Sequence, residues 1–187
     1  IDQFFNAAAY YRSTDRYAPH NVYTTFDRLD ALNDKKGFKT SSFEGFVRAK
    51  KEAPAVTPNA GKIDITISGP LYNPSYTYDK TSNHYIRSQA SKPHTDREHG
   101  QITPKVVVVM KINMYRGFED GYREQIDTNG SGQANVFQNG TVTEGNWKKD
   151  GIKAPLTFVD KEGKIIPLNA GQTWITAIPK ERSVSWQ

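Results

Sequence analysis

The amino-acid sequence predicts an α+β fold that is mainly antiparallel β-sheet with one N-terminal helix. Three observations predict it: short segments with alternating apolar and polar residues, turn signals between those segments, and helical spacing of apolar residues near the N-terminus. The chain has 187 residues, with 14 Gly, 10 Pro and 12% aromatic residues. This aromatic content is too high for a disordered chain and suits a globular protein with many turns.

The predicted helix covers residues 26–35. Its apolar residues recur at helical spacing, a threonine N-cap precedes them at Thr24 or Thr25, and Gly37 follows as a stop signal. The stretch before it, residues 12–21, is polar and contains a proline, which predicts a loop.

The best candidate for a linker is the segment 50–61, which has two Pro, Gly61 and little periodicity. We therefore expect residues 1–55 to form one part of the protein and residues 56–187 to form a β-rich domain. Because residue 1 is Ile and no signal peptide is visible, we also expect the chain to be processed or trimmed.

After the linker the periodicity changes to two. Three alternating isoleucines predict a strand at residues 63–67 with one solvent-facing side, and the run Val106–Met110 predicts a central strand buried on both faces. Asn139-Gly140 is the strongest hairpin signal in the chain. The other predicted strands are 76–78, 85–87, 134–137, 141–147, 156–159, 165–166 and 173–178.

The three tryptophans are interpreted by position. Trp147 and Trp174 lie on predicted strands and are expected to pack in the core or on a sheet face, and Trp186, near the C-terminus, is expected to be frayed.

Composition excludes several classes of function. The chain has no Cys, which rules out disulfides, cysteine nucleophiles and thiolate metal sites. Its net charge of +5 is mild, and no basic stripe is visible, so we expect no nucleic-acid partner. No apolar run approaches the length of a membrane-spanning helix. No sequence motif indicates a cofactor.

His94 and Asp96 are the candidate catalytic residues. In a hydrolase or transferase His94 would be the base and Asp96 would orient it, although no motif identifies a nucleophile. A metal site formed by these two residues with His99 is an alternative, since imidazole and carboxylate suit Zn²⁺ or Mn²⁺. The third interpretation is a solvated polar loop with a His–Asp hydrogen bond.

The candidate ligand-binding residues are Arg12, His20, Tyr23, Tyr85 and Arg87. Arginine, histidine and tyrosine side chains suit a phosphate or carboxylate ligand, and the alternative is a loop pinned to the neighbouring sheet by arginine and histidine hydrogen bonds. Since a proline stiffens the backbone just before both His20 and His94, we expect the two histidines to face one groove between the two parts of the chain. Binding there would change between about pH 5 and 8.

The order of several motifs resembles the YerB-like lipoprotein family of bacteria, which is defined by two adjacent domains of unknown function. The motifs that carry the resemblance are Tyr11-Arg12 with Ala18–Thr24, Tyr85-x-Arg87 with Pro93-His94-x-Asp96, Gly100-Gln101-Ile102, Gly132-x-Ala134 with Asn139-Gly140 and Trp147, and Gly171 with Thr173-Trp174-Ile175. The chain departs from the family pattern at three positions. It has Ser91, Lys105 and Ala170 where the family pattern leads us to expect Gly, Asn and Pro.

The resemblance implies the end of the family's first domain over residues 1–55 and the whole second domain from residue 56. It implies an extracytoplasmic protein of the cell envelope, membrane-anchored or secreted, that touches the membrane only through an N-terminal lipid anchor absent from this chain. It implies no activity. We therefore expect a binding module for an envelope protein or a cell-wall glycan, and the alternative is an envelope hydrolase or transferase that uses the His/Asp/Arg/Tyr cluster.

Overall fold

The computed structural model describes residues 2–187. It divides into two compact units, one that ends at Phe43 and one that comprises Glu44–Gln187. Residues 2–187 contain one α-helix and sixteen strands, and nearly all strand pairs are antiparallel, so the predicted α+β fold class is confirmed. Within the described range no helix combines the length and the apolar character needed to cross a membrane.

The first unit contains a short hairpin and the predicted helix. Strands β1 (Tyr11–Arg12) and β2 (Val22–Tyr23) pair antiparallel, and helix α1 covers Phe26–Lys36. The Thr25 hydroxyl accepts a hydrogen bond from the backbone N–H of Arg28, and Gly37 ends the helix with a positive φ of 73°. The predicted cap and stop are therefore both confirmed.

The second unit consists of two five-stranded sheets and two small hairpins. One sheet has the strand order β14-β13-β12-β9-β15, and the other has the order β16-β3-β4-β5-β6. The strands are β3 (Lys62–Ile65), β4 (Pro74–Asp79), β5 (His84–Gln89), β6 (Lys92–Pro93), β7 (Thr95–Asp96), β8 (Gly100–Gln101), β9 (Val106–Ile112), β10 (Met114–Arg116), β11 (Glu124–Ile126), β12 (Gly130–Gln138), β13 (Thr141–Lys149), β14 (Thr157–Asp160), β15 (Thr173–Pro179) and β16 (Val184–Trp186).

Strand β9 connects the two apolar cores of the second unit. Val106, Val108 and Met110 point into one core, and Val107 and Val109 point into the other, which lies against the second sheet. The strand is buried on both faces, as its continuous apolar sequence predicts.

The hairpin of β12 and β13 turns at Asn139 and Gly140, which both have positive φ. This is the backbone of a type I′ turn, and it confirms the Asn-Gly prediction. A second tight turn joins β5 to β6 through Ala90 and Ser91, whose φ values of 51° and 61° lie in the left-handed region. The glycine that the family pattern places at position 91 is the residue that adopts this backbone most easily.

Residues 50–61 contain no helix or strand, but several of their groups bond to the rest of the second unit, to which they belong. The backbone N–H groups of Ala55 and Ala60 donate to the carbonyls of Asn139 and Gly140, and the Ala60 side chain is fully buried. The Lys105 ammonium forms an ion pair with Glu52. The assignment of residues 1–55 to the remnant of a first domain stays a prediction.

Two features at the C-terminal end could not be read from local patterns. Strand β15 joins the edge of the first sheet beside β9 and runs parallel to it. Trp186, expected to be frayed, is instead part of β16, which pairs with β3, and its ring packs edge-on against Phe137 at a centroid distance of 5.6 Å. That expectation was wrong because the tertiary contacts of the last strand hold it in place.

Candidate functional site

A buried arginine forms the centre of the polar cluster in the second unit. Strand β5 alternates its side chains, so Tyr85 and Arg87 both point inward, and Arg87 is only 5% exposed. Strand β4 places Tyr76 directly opposite Arg87. From the other sheet, Trp174 lies with its ring centroid 4.3 Å from the guanidinium carbon. The charge of Arg87 is thus enclosed by aromatic side chains.

The guanidinium donates to three neutral side chains. Its Nε–H bonds the Tyr76 hydroxyl at 3.2 Å, one Nη group bonds Gln89 Oε1 at 2.9 Å, and the other bonds Nδ1 of His94. No carboxylate of residues 2–187 forms an ion pair with it, which is uncommon for a buried charge. Cation–π attraction to Trp174 and these hydrogen bonds compensate part of its desolvation.

The hydrogen bond from Arg87 determines the chemistry of His94. A guanidinium has no acceptor, so Nδ1 of the neutral imidazole must accept, and the ring proton is on Nε2. Burial, and then the charge of Arg87, lower the pKa of His94 below its ordinary value. His94 therefore has no free basic nitrogen: one is occupied by Arg87 and the other carries a proton.

Asp96 does not bond to His94 in the part of the chain that the structure describes. Its carboxylate accepts from the backbone N–H groups of Glu98 and His99, both at 2.9 Å, and these bonds lower its pKa, with the Glu98 N–H contributing most. The strand also breaks between them, because β6 ends just before His94 and Asp96 belongs to β7, which pairs with a different strand. His94, Asp96 and His99 form no cluster suited to a metal ion among the described residues. The catalytic assignment of His94 and Asp96 stays a prediction.

Tyr85 is fully buried beside Tyr78, at a ring centroid distance of 5.2 Å. Its hydroxyl has no hydrogen-bond partner of good geometry among residues 2–187, and burial raises its pKa, an effect that the backbone N–H of Gly140 partly opposes. A buried phenol of this kind fills the core. Its side chain is fully buried, and its ligand-binding role stays a prediction.

In the first unit, Arg12 holds the loop between β1 and β2. Its guanidinium donates to the side chain of Asn21 at 2.7 Å, and Asn21 in turn bonds the carbonyls of Ser13 and Arg16. His20 is exposed on this loop. These hydrogen bonds lie within the loop itself, and the ligand-binding role of Arg12 and His20 stays a prediction.

Tyr23, the third predicted ligand residue of this unit, is half-buried on β2. It pairs with Tyr11 across the hairpin, at a ring centroid distance of 6.1 Å. Its binding role stays a prediction, as does the shared groove for His20 and His94.

The lowered pKa of His94 predicts a pH dependence of stability. Above about pH 6.5, the ordinary pKa of histidine, the ring is neutral in both states. Below it the unfolded chain binds the proton first, so the free energy of unfolding falls until the pH drops through the lower pKa of the folded protein. We expect His94→Gln to remove this part of the dependence. Denaturant unfolding of both proteins across this range, with NMR titration of the His94 ring, checks it. Identical pH profiles for the two proteins would contradict the prediction.

The sequence analysis missed a second polar region of the same unit, a groove of about 490 Å³. Its floor is the outer part of β12 and β13, and its wall is the C-terminal segment that includes β16. Its lining includes Lys111, Gln133, Asn135, Asn146, Arg182 and Trp186. The Asn-Gly turn already aligned Gln133 with Asn146 and Asn135 with Glu144, so a polar patch on this hairpin was detectable in the sequence.

Comparison with known proteins places this architecture in a family. Residues 63–175 match the model described as the C-terminal domain of a protein of unknown function, DUF3048. The chain is 28% identical over 179 residues to "Putative lipoprotein YerB" of Bacillus subtilis (strain 168), covering 94% of this chain and 53% of that protein. The crystal structure of YerB from Bacillus subtilis matches with a TM-score of 0.80 at 25% identity, over 99% of this chain and 62% of that one.

The chain spans about half the length of the curated relative that it matches. The matched segment includes β3 through the first half of β15, and so it contains Arg87, His94 and the floor of the groove. The match of sequence and fold leads to one conclusion: the chain belongs to the DUF3048 family, whose C-terminal domain it contains.

Proposed function

We propose that this protein is an extracytoplasmic binding module of the bacterial cell envelope. The name of its relative, a lipoprotein, supports the location. The observation that carries the proposal is the hydrogen bond from Arg87 to Nδ1 of His94. A general base needs an unprotonated nitrogen within reach of its substrate, and this bond uses the one that His94 has.

The alternative, an envelope hydrolase or transferase, has weaker support. Asp96 stabilises a turn through two backbone hydrogen bonds and does not orient His94. Arg87 is buried and satisfied by Tyr76, Gln89 and His94, so it is positioned to stabilise the sheet. The polar cluster therefore supports a structural role, and binding is expected at another surface of the second unit.

The test compares binding with turnover on total envelope material, that is, walls and membranes sedimented together from Bacillus subtilis. We expect the wild-type chain to co-sediment with this material without releasing soluble sugar or peptide. The variants His94→Gln and Asp96→Asn are expected to bind within about twofold of wild type, because neither side chain contacts the ligand. Release of soluble fragments that His94→Gln abolishes would overturn the proposal, and so would a failure of the wild-type chain to co-sediment.

A further inference from the structure

The groove lies on the face of β12 and β13 that also carries Phe137, and it is polar, open and supplied with free hydrogen-bonding groups. Gln133 and Asn146 are exposed and lie opposite each other in the hairpin, with Asn135 next to them on the same face. These three side-chain amides make no hydrogen bond within residues 2–187, in contrast to the amides of Asn21 and Asn83. Each amide presents both donors and an acceptor to the groove.

This combination suits a ligand rich in hydroxyl groups. A hydroxyl donates one hydrogen bond and accepts others, so it is matched by an amide better than by a group that only donates or only accepts. Several such amides along one face can bind successive hydroxyls of an extended polymer.

The charges of the groove are uneven. Lys111 and Arg182 bring two positive charges to one end, and the Lys111 ammonium is held there by the backbone carbonyls of Lys180 and Arg182. A third cation, Lys161, is neutralised by its ion pair with Glu144 at 2.7 Å. No acidic side chain of the described residues pairs with Arg182. The groove thus has a net positive end that favours carboxylate or phosphate groups.

The wall of the groove adds backbone groups and an aromatic ring. The backbone groups of Ser183 and Gln187 form hydrogen bonds with β3. Because successive residues of a strand direct their backbone N–H and C=O groups to opposite sides, the backbone groups of Val184 and Trp186 point away from β3. The Trp186 ring also lines the groove and is held rigid by Phe137. A rigid aromatic surface with a polar edge is a frequent component of binding sites.

We infer that this groove binds an anionic polysaccharide of the cell envelope, with its hydroxyls on Gln133, Asn135 and Asn146 and its carboxylate or phosphate groups at Lys111 and Arg182. The inference rests on the proposed binding function and names its ligand class and its site. Charge complementarity and the free amides favour a glycan over an extended peptide, which would use the free edge of β16 alone.

The test measures co-sedimentation of the chain with purified insoluble cell wall. Arg182→Gln and Asn146→Ala are expected to weaken binding, with Arg182→Gln reducing the affinity about tenfold, the loss expected for one hydrogen bond from a charged group. Both side chains are exposed, so both variants should fold. The matched controls are Arg116→Gln and Asn129→Ala, which make the same changes at exposed positions outside the groove and should bind as wild type does.

Two wall preparations distinguish the sources of negative charge. Walls that retain their phosphate polymers and walls stripped of them by acid extraction are compared, and binding that survives extraction assigns the carboxylates of the remaining wall. Where binding survives extraction, soluble glycan strands without peptide are expected to compete with the wall for the protein. Where extraction removes binding, the released phosphate polymer is expected to compete instead.

Equal binding by wild type and the two groove variants would overturn the inference while leaving the proposed function in place. Competition by wall peptides, with none by the glycan strands, would also overturn it, because the occupant would then be a peptide. If the chain binds total envelope but not purified wall, the inference is also overturned, because the ligand would then not be a wall polysaccharide.

Discussion

Trp147→Ala is expected to lower the free energy of unfolding of the second unit by about 3–5 kcal/mol, the usual cost of removing a large buried aromatic side chain. Trp147 is 2% exposed and belongs to the apolar core on one side of β9. Its indole N–H donates to the carbonyl of Lys111 at 2.8 Å, and so links β13 to β9 across the intervening strand. The substitution removes this bond and leaves a cavity between three strands.

The Trp147 indole can reach Lys111 of β9 because Gly132, on the strand between them, has no side chain. A Cβ at this position would lie 2.6 Å from the Lys111 carbonyl oxygen and 2.7 Å from the indole nitrogen. Gly132 and Trp147 are directly opposite in the β12–β13 register. The pairing of these two residues in the family motif therefore has a steric explanation.

The measurement is denaturant unfolding followed by tryptophan fluorescence. All three tryptophans belong to the second unit, and Trp174 and Trp186 remain to report its unfolding in the variant. Trp147→Phe, which keeps a ring but loses the hydrogen bond, should fall between wild type and Trp147→Ala. Tyr122→Ala removes an aromatic that is 72% exposed and should change stability by less than about 0.5 kcal/mol. A Trp147→Ala loss no larger than that control would contradict the prediction.

Gly145→Ala is expected to destabilise the second unit by about 3 kcal/mol or more, because the added methyl group has no space. A Cβ at Gly145 would lie 1.9 Å from the backbone carbonyl oxygen of Val159. The obstructing atom is backbone in the paired strand β14, so no side-chain rotation relieves the overlap. Strand β14 must move away from β13, which disturbs the buried Phe158 and Val159.

The control for this prediction is Gly151→Ala. An added Cβ there meets no atom within 4 Å, and the residue does not require a positive φ. Its stability should stay within about 1 kcal/mol of wild type. The two variants are compared by thermal and denaturant unfolding, and by hydrogen exchange of the β14 amides, which should accelerate only in Gly145→Ala. Equal stability of the two variants would show that the sheet accommodates the methyl group.

Much of the local structure could be predicted from the sequence. The helix boundaries follow from Thr25 and Gly37, the β12–β13 register follows from Asn139-Gly140, and the burial of β9 on both faces follows from its unbroken run of apolar residues. Each of these features depends on backbone preferences or on side-chain alternation over a few residues, and the local sequence is enough to determine both.

The candidate site was only partly predictable. Arg87 and His94 lie close together because a tight turn at Ala90 and Ser91 brings β6 back beside β5. The pairing of His94 with Asp96 was a reasonable hypothesis, but the chain changes from one sheet to another between them. Two residues that are separated by one position have side chains on the same face only if both belong to one continuous strand.

The sequence by itself determined the helix, the long strands of the two sheets, the burial of β9 on both faces and the turn at Asn139-Gly140. It did not indicate the short strands such as β7, β10 and β16, and the strand predicted at residues 165–166 is only an isolated bridge. Only the tertiary structure decided that Trp174 covers Arg87, that β15 runs parallel to β9, and that β16 forms the wall of the groove beside Asn135 and Asn146. The physical reason is that the alternation of apolar and polar residues along a strand indicates whether a side chain is buried but not which residues bury it. Partners that are distant in the chain are selected by the packing of two complete sheets, which is a property of the whole domain.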